Sequence, residues 1–574
     1  MIELWSLLLC FVALVFGLGP GLMPKRLGSP LQRVAVGLSA SLGAIYLVSF
    51  GIYGLKLPVT AHRYLLLLPL LVTVLRRRQL AELWADPLVR QVAIAWLAVA
   101  AWLAGWQFTV FSYSGSTWEG DWHEHYDRSR FFIQHWDLNT KFLGVYSLAS
   151  RPPLVNLVTG AFLALAGVKF HVFQATCVLL ASLVVWPVCL LQQRLARPGS
   201  APSAGWVTLL LMSLPALAQN AAFTWTKLPT AALVLTGLAL VSTPVPTFAS
   251  RLAGWLSLTA GMLAHYSAGP WIVALVLAEL LRGRAGWRWA LGWQGAAVAL
   301  ACSALFATWL SWSMTHLGSQ ATVASNSTVI SAQGLTAGER IVHAVTNLYN
   351  STVPALLRHV DYGYHRADDA LGRLRDAYFN LVQCNIPMLA GVFGVAVAAW
   401  LVRRDWPQAS RETIRYWTVL LVVALVLGIV VHTEVIALGV AQICLLPFAL
   451  LVVAWLSARA PGSTAGVRTV LLLGAASDFV LGILLHFAIQ SHWLPRRLHP
   501  DLGDAEIARL FGHAAPMNLT AKFRIGEPFL QELPSALTAT LLLLAAALCL
   551  LAASFHPPVA TPAEAEVRRR RAWI

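Results

Sequence analysis

Residues 91–111, QVAIAWLAVAAWLAGWQFTVF, carry no charge and then give way to Trp118-Glu119-Gly120-Asp121-Trp122-His123-Glu124-His125-Tyr126-Asp127-Arg128. A helix over the first stretch rises about 30 Å, the thickness of a bilayer's hydrocarbon core. The second stretch crowds acids, histidines, an arginine and tryptophans just beyond its end, where they serve no spanning purpose. A membrane helix followed by a polar island therefore sets the reading of the whole chain.

Outward from there, the same alternation repeats. Of the 574 residues 58% are hydrophobic and 11% charged, with a mean hydropathy of +0.67. That balance excludes a soluble globular protein. Apolar runs fall near 3–22, 34–54, 57–75, 91–111, 170–191, 205–221, 228–243, 252–266, 268–282, 289–311, 384–402, 416–432, 434–457, 469–487 and 534–554. The expected fold is an all-α polytopic membrane protein of about fifteen transmembrane helices. The run from Met1 to Met23 lacks a basic start and a small-residue cleavage site, so it reads as a first span.

The net charge of +16 does not point to nucleic acid, because the basic residues sit in short clusters beside apolar runs. Lys25-Arg26, Arg76 to Arg78, the segments 194–197 and 282–288, Arg403-Arg404, Arg459 and Arg568 to Arg571 all fall inside if the N-terminus is outside. The larger polar segments 112–152, 312–383 and 488–533 then share the outer side, where chemistry is expected. The run Leu154 to Ala166 breaks this parity if it spans. Its length suits a short re-entrant or interfacial helix, opened by Arg151-Pro152-Pro153. The expected divisions are 1–90, N-terminal helices; 91–311, a catalytic core with the outer loop 112–152; 312–383, a second outer loop; 384–556, C-terminal helices with the loop 488–533; and 557–574, a basic cytoplasmic tail.

The seven cysteines lie in or at the ends of apolar segments and read as small hydrophobes. Helical spacing over 121–136 places Asp121, His125, Arg128 and His135 on one stripe and Trp122, Tyr126, Ile133 and Trp136 on another. Asp121, Glu124 and Asp127 are the candidate carboxylate bases. His123 and His125 flank Glu124 as weak candidates for a divalent metal, although two residues apart on a helix their rings diverge. Lys227 and His265 stand at the outer ends of their helices. Asp478, alone in an apolar run, reads as a helix-packing hydrogen bond.

Asp121, then Ser129-Arg130 eight and nine positions on, then Arg151-Pro152-Pro153-Leu154, resemble the GT-C superfamily of integral-membrane glycosyltransferases, which includes the lipid A aminoarabinose transferases and protein O-mannosyltransferases. Trp122 stands where the family usually has a second acid, and the gap to Pro152-Pro153 is longer than typical. The resemblance implies a GT-C-like fold with short interfacial helices in its outer loops. It also implies transfer of a sugar from a polyprenyl-phosphate carrier to a glycan, lipid or protein acceptor at the outer face of the cytoplasmic membrane. Asp121 would take the acceptor proton, and Arg128, Arg130, Arg151, Lys227 and His265 would hold the carrier phosphate. No cofactor is required by the residues, though some members use a divalent metal. The rival functions are a transporter or flippase and a polysaccharide ligase or polymerase, the latter favouring His492, Arg496 and Arg497 in the late outer loop. Sugar and acceptor stay open.

Overall fold

The computed structural model describes residues 2–109, 121–142, 146–196, 203–243, 246–325, 334–354, 357, 370–405, 411–430, 442–489 and 529–555. In chain order the helices are α1 Ile2–Phe11, α2 Gly19–Leu22, α3 Pro30–Gly54, α4 Leu67–Ala85, α5 Pro87–Gln107, α6 Asp121–Gln134, α7 Leu154–Ala166, α8 Phe170–Ser182, α9 Val185–Leu195, α10 Ala204–Met212, α11 Pro215–Ala222 and α12 Lys227–Val241. There follow α13 Phe248–Ala264, α14 Gly269–Leu280, α15 Arg284–Leu291, α16 Trp293–Leu317, α17 Ser319–Ala324, α18 Ala337–Thr352, α19 Ala370–Cys384, α20 Gly394–Asp405, α21 Arg411–Val430, α22 Gln442–Arg459, α23 Ala465–Ser477 and α24 Ala536–Phe555.

The protein is a multi-pass, all-helical membrane protein among its described residues. Nine helices there are long and apolar enough to span, and four more apolar helices are shorter. The expected count of about fifteen is not confirmed among the described residues: the runs at 228–243 and 268–282 form the shorter helices Lys227–Val241 and Tyr266–Leu280. The run at 205–221 breaks into α10 and α11 at Ser213-Leu214, just before Pro215. The run at 57–75 stays among the nine although it begins as a 3₁₀ helix over Val59–Leu66 and α4 kinks at Arg76. The run at 170–191 likewise counts as one span, Phe170–Leu195, although the turn at Leu183-Val184 divides it and Pro187 sits inside α9. Prolines remove a ladder donor, and such breaks are tolerated where neighbouring protein covers the backbone.

The first crossing shows how this is done. A π-helical stretch, Val12–Leu18, separates α1 from α2, and Ser41 Oγ of α3 accepts from Gly19 N at 2.8 Å while donating to Val15 O at 2.8 Å. The backbones meet so closely that a Cβ on Gly19 would lie 1.8 Å from Gly37 O, and one on Gly37 2.4 Å from Pro20 N. At the other end of the sequence α24 lies antiparallel along α5. Gln91 Nε2 donates to Ser554 O at 3.0 Å, and Gly105 makes room for Leu544.

Charged side chains gather at the two ends of the bundle. At one, Lys25 pairs with Glu82 (2.6 Å), Arg33 reaches Met23 O, Arg194 reaches Gln32 Oε1 (3.1 Å) and Arg282 reaches Thr243 O (3.1 Å). Beside them Glu279 is buried against Arg282 (3.2 Å) and Tyr416 Oη (3.0 Å). At the other end Glu3 joins Lys169 (2.6 Å) and His171 (3.0 Å), which ties the start of α1 to the turn between α7 and α8. His135 Nε2 meets Leu57 O (3.0 Å) there as well, so the connection after α3 and the polar loop after α5 lie together.

Asp478 begins a π-helical stretch, Asp478–Leu485, and its Oδ1 accepts from Val392 N at 2.8 Å. It caps the turn ahead of α20, where Gly391 takes φ +93° and, lacking a Cβ, leaves room for the same carboxylate. This is a packing role, as its isolation in the sequence implies. The segments carrying Glu434, His492, Arg496, Arg497, the second-loop residues 358–366 and the tail 557–574 lie outside the described residues.

The Gly19/Gly37 crossing yields a test. Gly37→Ala should lower stability in detergent by about 1–3 kcal/mol, the usual cost of overpacking. Gly43→Ala, where an added Cβ meets nothing within 4 Å, should leave the unfolding temperature unchanged or slightly raised. Equal behaviour of the two variants would refute the close-approach account.

Candidate functional site

The polar island forms α6, and Asp121 is its first residue, a position that favours an acid through the helix dipole. The Asp121 side chain, and Trp118, Glu119 and Gly120 before it, lie outside the described residues. The helix ends where His135 takes φ +50° and stacks on Tyr53 with rings 5.4 Å apart and 8° from parallel. Gly160 of α7 lets α6 come close: a Cβ there would sit 3.2 Å from Ser129 O. Ser129 Oγ and Thr159 Oγ1 then meet at 2.6 Å.

This packing changes which face of α6 is available. Glu124, His125, Arg128 and Ser129 are buried, as are Tyr126, Phe131 and Phe132. The partly open positions are His123, Asp127 and Arg130, one stripe at i, i+4 and i+7. The expected stripe through His125 and Arg128 faces the protein instead.

Arg128 is fully buried and holds the loop together. Its Nε donates to Glu124 Oε1 (2.7 Å), Nη1 to Leu148 O (3.0 Å), and Nη2 to Ser147 O (3.1 Å) and Ser150 Oγ (2.8 Å). Its guanidinium also lies 4.3 Å from the centre of the Phe142 ring. Four of its five N–H groups are therefore taken by the protein. Expected as a phosphate ligand, it acts as a rivet between α6 and the Ser147–Ser150 turn.

Glu124 is likewise sealed in. Burial alone would raise its carboxyl pKa, but Arg128 and Arg151, with His125 beside them, hold it below the ordinary carboxylate range. A carboxylate so held is a weak proton acceptor. Arg151 Nε stands 3.9 Å from the same Glu124 Oε1, and its guanidinium lies 5.2 Å from the Tyr146 ring. Unlike Arg128, Arg151 keeps 16% of its side chain exposed.

His125 Nδ1 donates to Asn156 Oδ1 at 2.9 Å. Burial, reinforced by Arg128 and Arg151 against Glu124, pushes its pKa down to about 4. His123 instead stacks on Phe170 (5.0 Å) and approaches Asp127 with Nδ1 at 3.4 Å. The two rings thus have different neighbours, and among the described residues no group of three or more His, Cys, Asp or Glu side chains is arranged to hold a metal. Asp127 is 28% exposed and also faces Arg130 Nη1 at 3.7 Å; Arg130 lies over Tyr126 and Trp136 at 5.3 and 5.2 Å.

Lys227 and His265 sit at the same end. α12 and α13 pack antiparallel, with Gly237 against Gly254 and Val234 against Gly261, a register that brings Lys227 level with the Tyr266–Ala268 turn. Lys227 is buried, with Nζ 3.3 Å from the centre of the Trp225 ring. His265 caps that turn, its Nδ1 accepting from Ser267 N at 3.1 Å. Tyr266 lies within Coulombic reach of both Arg128 and Arg151 and so links the two halves of the site. No sequence pattern singles out Tyr266 or Tyr146, whereas Trp225 carries one signal, an aromatic beside a cation at a helix mouth.

Two crystal structures of ArnT from Cupriavidus metallidurans resemble this chain. The one bound to undecaprenyl phosphate aligns at 14% identity and a TM-score of 0.43, covering 80% of this chain and 76% of that one. The apo structure aligns at 13% identity and a TM-score of 0.31, covering 63% and 77%. No protein-family model and no curated protein matches the chain. Likeness this distant lends no residue its role, so the site stands on its own geometry.

The buried ion cluster makes two predictions. His125, neutral in the fold and held to about 4 against an ordinary 6.5, binds a proton more readily in the unfolded chain. Its contribution to stability is complete above pH 6.5 and is lost as pH falls toward 4, at most about 1.4 kcal/mol per pH unit. Unfolding temperature measured across that window should fall less steeply for His125→Gln than for the wild type. Glu124→Gln should cost roughly 3–5 kcal/mol by leaving Arg128 buried without its counter-charge, and chemical denaturation would show it.

Proposed function

We propose that this protein transfers a sugar from a polyprenyl-phosphate carrier to an acceptor at the outer face of the cytoplasmic membrane. The observation that carries the reading is Arg151. Arg128 occupies Glu124 as its close partner, so the same carboxylate steadies Arg151 from a greater distance while leaving it partly exposed beside Tyr266. A partly exposed guanidinium fixed in place at the mouth of the bundle presents the planar fork that suits phosphate oxygens.

In this mechanism Arg151 and Lys227 bind the carrier phosphate, with Arg130 and His265 at its margins. The lipid chain lies along the apolar flank of the bundle. Asp121, at the mouth of α6, takes the proton of the acceptor hydroxyl as that oxygen attacks the anomeric carbon. The bond from that carbon to the phosphate oxygen breaks as the new one forms, and the departing phosphate's charge is met by the cations. Asp127, the partly open acid on α6, is the alternative base. Glu124 serves as the anchor behind Arg151, and Arg128 as the rivet that fixes the loop. The undecaprenyl phosphate in one of the ArnT crystal structures is a carrier of the class intended here.

The purified chain tests this directly. Asp121→Asn should abolish transfer from undecaprenyl-phosphate-linked sugars while the unfolding temperature stays near wild type; full activity in that variant, with loss in Asp127→Asn, would move the base to Asp127. Arg151→Ala and Lys227→Ala should each weaken undecaprenyl phosphate binding by about 10- to 100-fold, the worth of one charge-assisted hydrogen bond. If the wild type gains no thermal stability from the carrier at all, the proposal fails.

A further inference from the structure

A second polar cluster lies just before Lys227 in the chain. In α11, Asn220 Nδ2 donates to Gln383 Oε1 at 2.9 Å and to Ala216 O at 2.7 Å, and Gln383 Nε2 donates to Gln219 Oε1 at 3.0 Å. Gln219 and Asn220 are wholly buried and Gln383 nearly so. The three amides form a chain with unused ends. Among the described residues Gln219 Nε2, Asn220 Oδ1 and Thr226 Oγ1 have no hydrogen-bond partner. Buried polar groups left unmade are costly, and several gathered on one short segment call for a ligand more than for packing.

The chemistry of the unused groups selects that ligand. One is an N–H donor, one a carbonyl acceptor and one a hydroxyl that serves as either. An anion is disfavoured by the carbonyl and a cation by the amide N–H, whereas sugar hydroxyls, each both donor and acceptor, fit both. The surroundings agree: the Phe223 and Trp225 rings lie 3.8 Å apart, and Phe379 of α19 stands 6.1 Å from Trp225, giving an apolar wall for the C–H face of a sugar. The Lys227 ammonium rests on Trp225 as well. In a glycosyl phosphate the sugar and the phosphate are joined through one oxygen, so a hydroxyl-binding subsite belongs next to the phosphate's cation.

Gln383 arrives from a different part of the chain. It lies near the end of α19, which packs on α11, and the adjoining Asn385 is pinned by its Nδ2 to Asn350 O (2.7 Å) and Val353 O (3.0 Å). Its amide occupies the fork between Asn220 and Gln219 with one acceptor and one donor, the same pair that a hydroxyl offers. We infer that Gln219 and Asn220 form a subsite for the hydroxyls of the carrier-bound sugar, and that Gln383 fills this subsite as a stand-in that withdraws with α19 when the sugar enters. The inference rests on the carrier-dependent transfer proposed above.

The test compares the binding of undecaprenyl phosphate with that of undecaprenyl phosphate bearing glucose, mannose or arabinose, using the full chain in detergent. The wild type should bind at least one sugar-bearing carrier about tenfold more tightly than the bare one. Asn220→Leu and Gln219→Met should lose that increment while binding the bare carrier normally. The equal-sized Asn220→Asp, which replaces the Nδ2 donor by an acceptor, should lose it too and serves if the apolar variants do not fold. Gln383→Ala, which removes the stand-in and leaves the fork, should keep or enlarge the increment. Survival of the increment in the fork variants, its absence in the wild type, or equal loss of bare-carrier binding overturns the subsite while sparing the phosphate site. Failure of the wild type to bind any carrier overturns the transferase reading itself.

Discussion

The site depends on one buried ion pair. Glu124 and Arg128 stand one turn apart on α6, and the pair closes at 2.7 Å with both side chains 1% exposed. Taking two charges out of water is expensive, and it is tolerated only where the remaining polar atoms are satisfied. Arg128 meets that condition by donating to three groups of the Ser147–Ser150 turn. The cost of desolvation thereby becomes a geometric requirement: the turn that delivers Arg151 cannot shift without stranding a buried guanidinium. The position of the exposed cation follows from the needs of the hidden one.

A second constraint acts through the helices behind. Lys227 and Tyr266 are brought level by the α12–α13 contact, where Gly237 and Gly254 let the backbones approach. α12 is buried over its whole length, including the lysine that opens it. A charge there is expensive unless it is met, and the aromatic face of Trp225 lies against it. Cations from two separate hairpins thus converge on the end of the bundle that also carries α6.

Much of this was legible in the sequence, and the exceptions have physical causes. Spans such as α5 and α24 follow from unbroken apolar length, and α7 occupies Leu154–Ala166 as its Pro-Pro start implies. The helix over α6 was also readable, but its buried face was not. A periodicity argument assigns polar residues to the open side, and here an ion pair, a histidine and a serine turn inward because α7 presents Asn156, Thr159 and the gap at Gly160 to receive them. The i, i+4 spacing of Glu124 and Arg128 was the one signal of pairing, and it competes in sequence with the catalytic reading of the same residues. Breaks such as Ser213-Leu214 hide in apolar runs because hydropathy does not register a turn that neighbouring helices cover. The link from α19 to α11 joins residues some 160 positions apart, and no local pattern announces it.

The pairing of α5 with α24 has a consequence for how the protein is made. Gln91 and Ser554 are separated by 463 positions, so a ribosome inserting this chain completes the helices between them before α5 gains this neighbour. Until then the groove at Gly105, which Leu544 fills in the finished protein, faces lipid or a helper protein. The polar loop bearing Asp121 follows directly on α5, so one support of that loop arrives only after the intervening helices have been made.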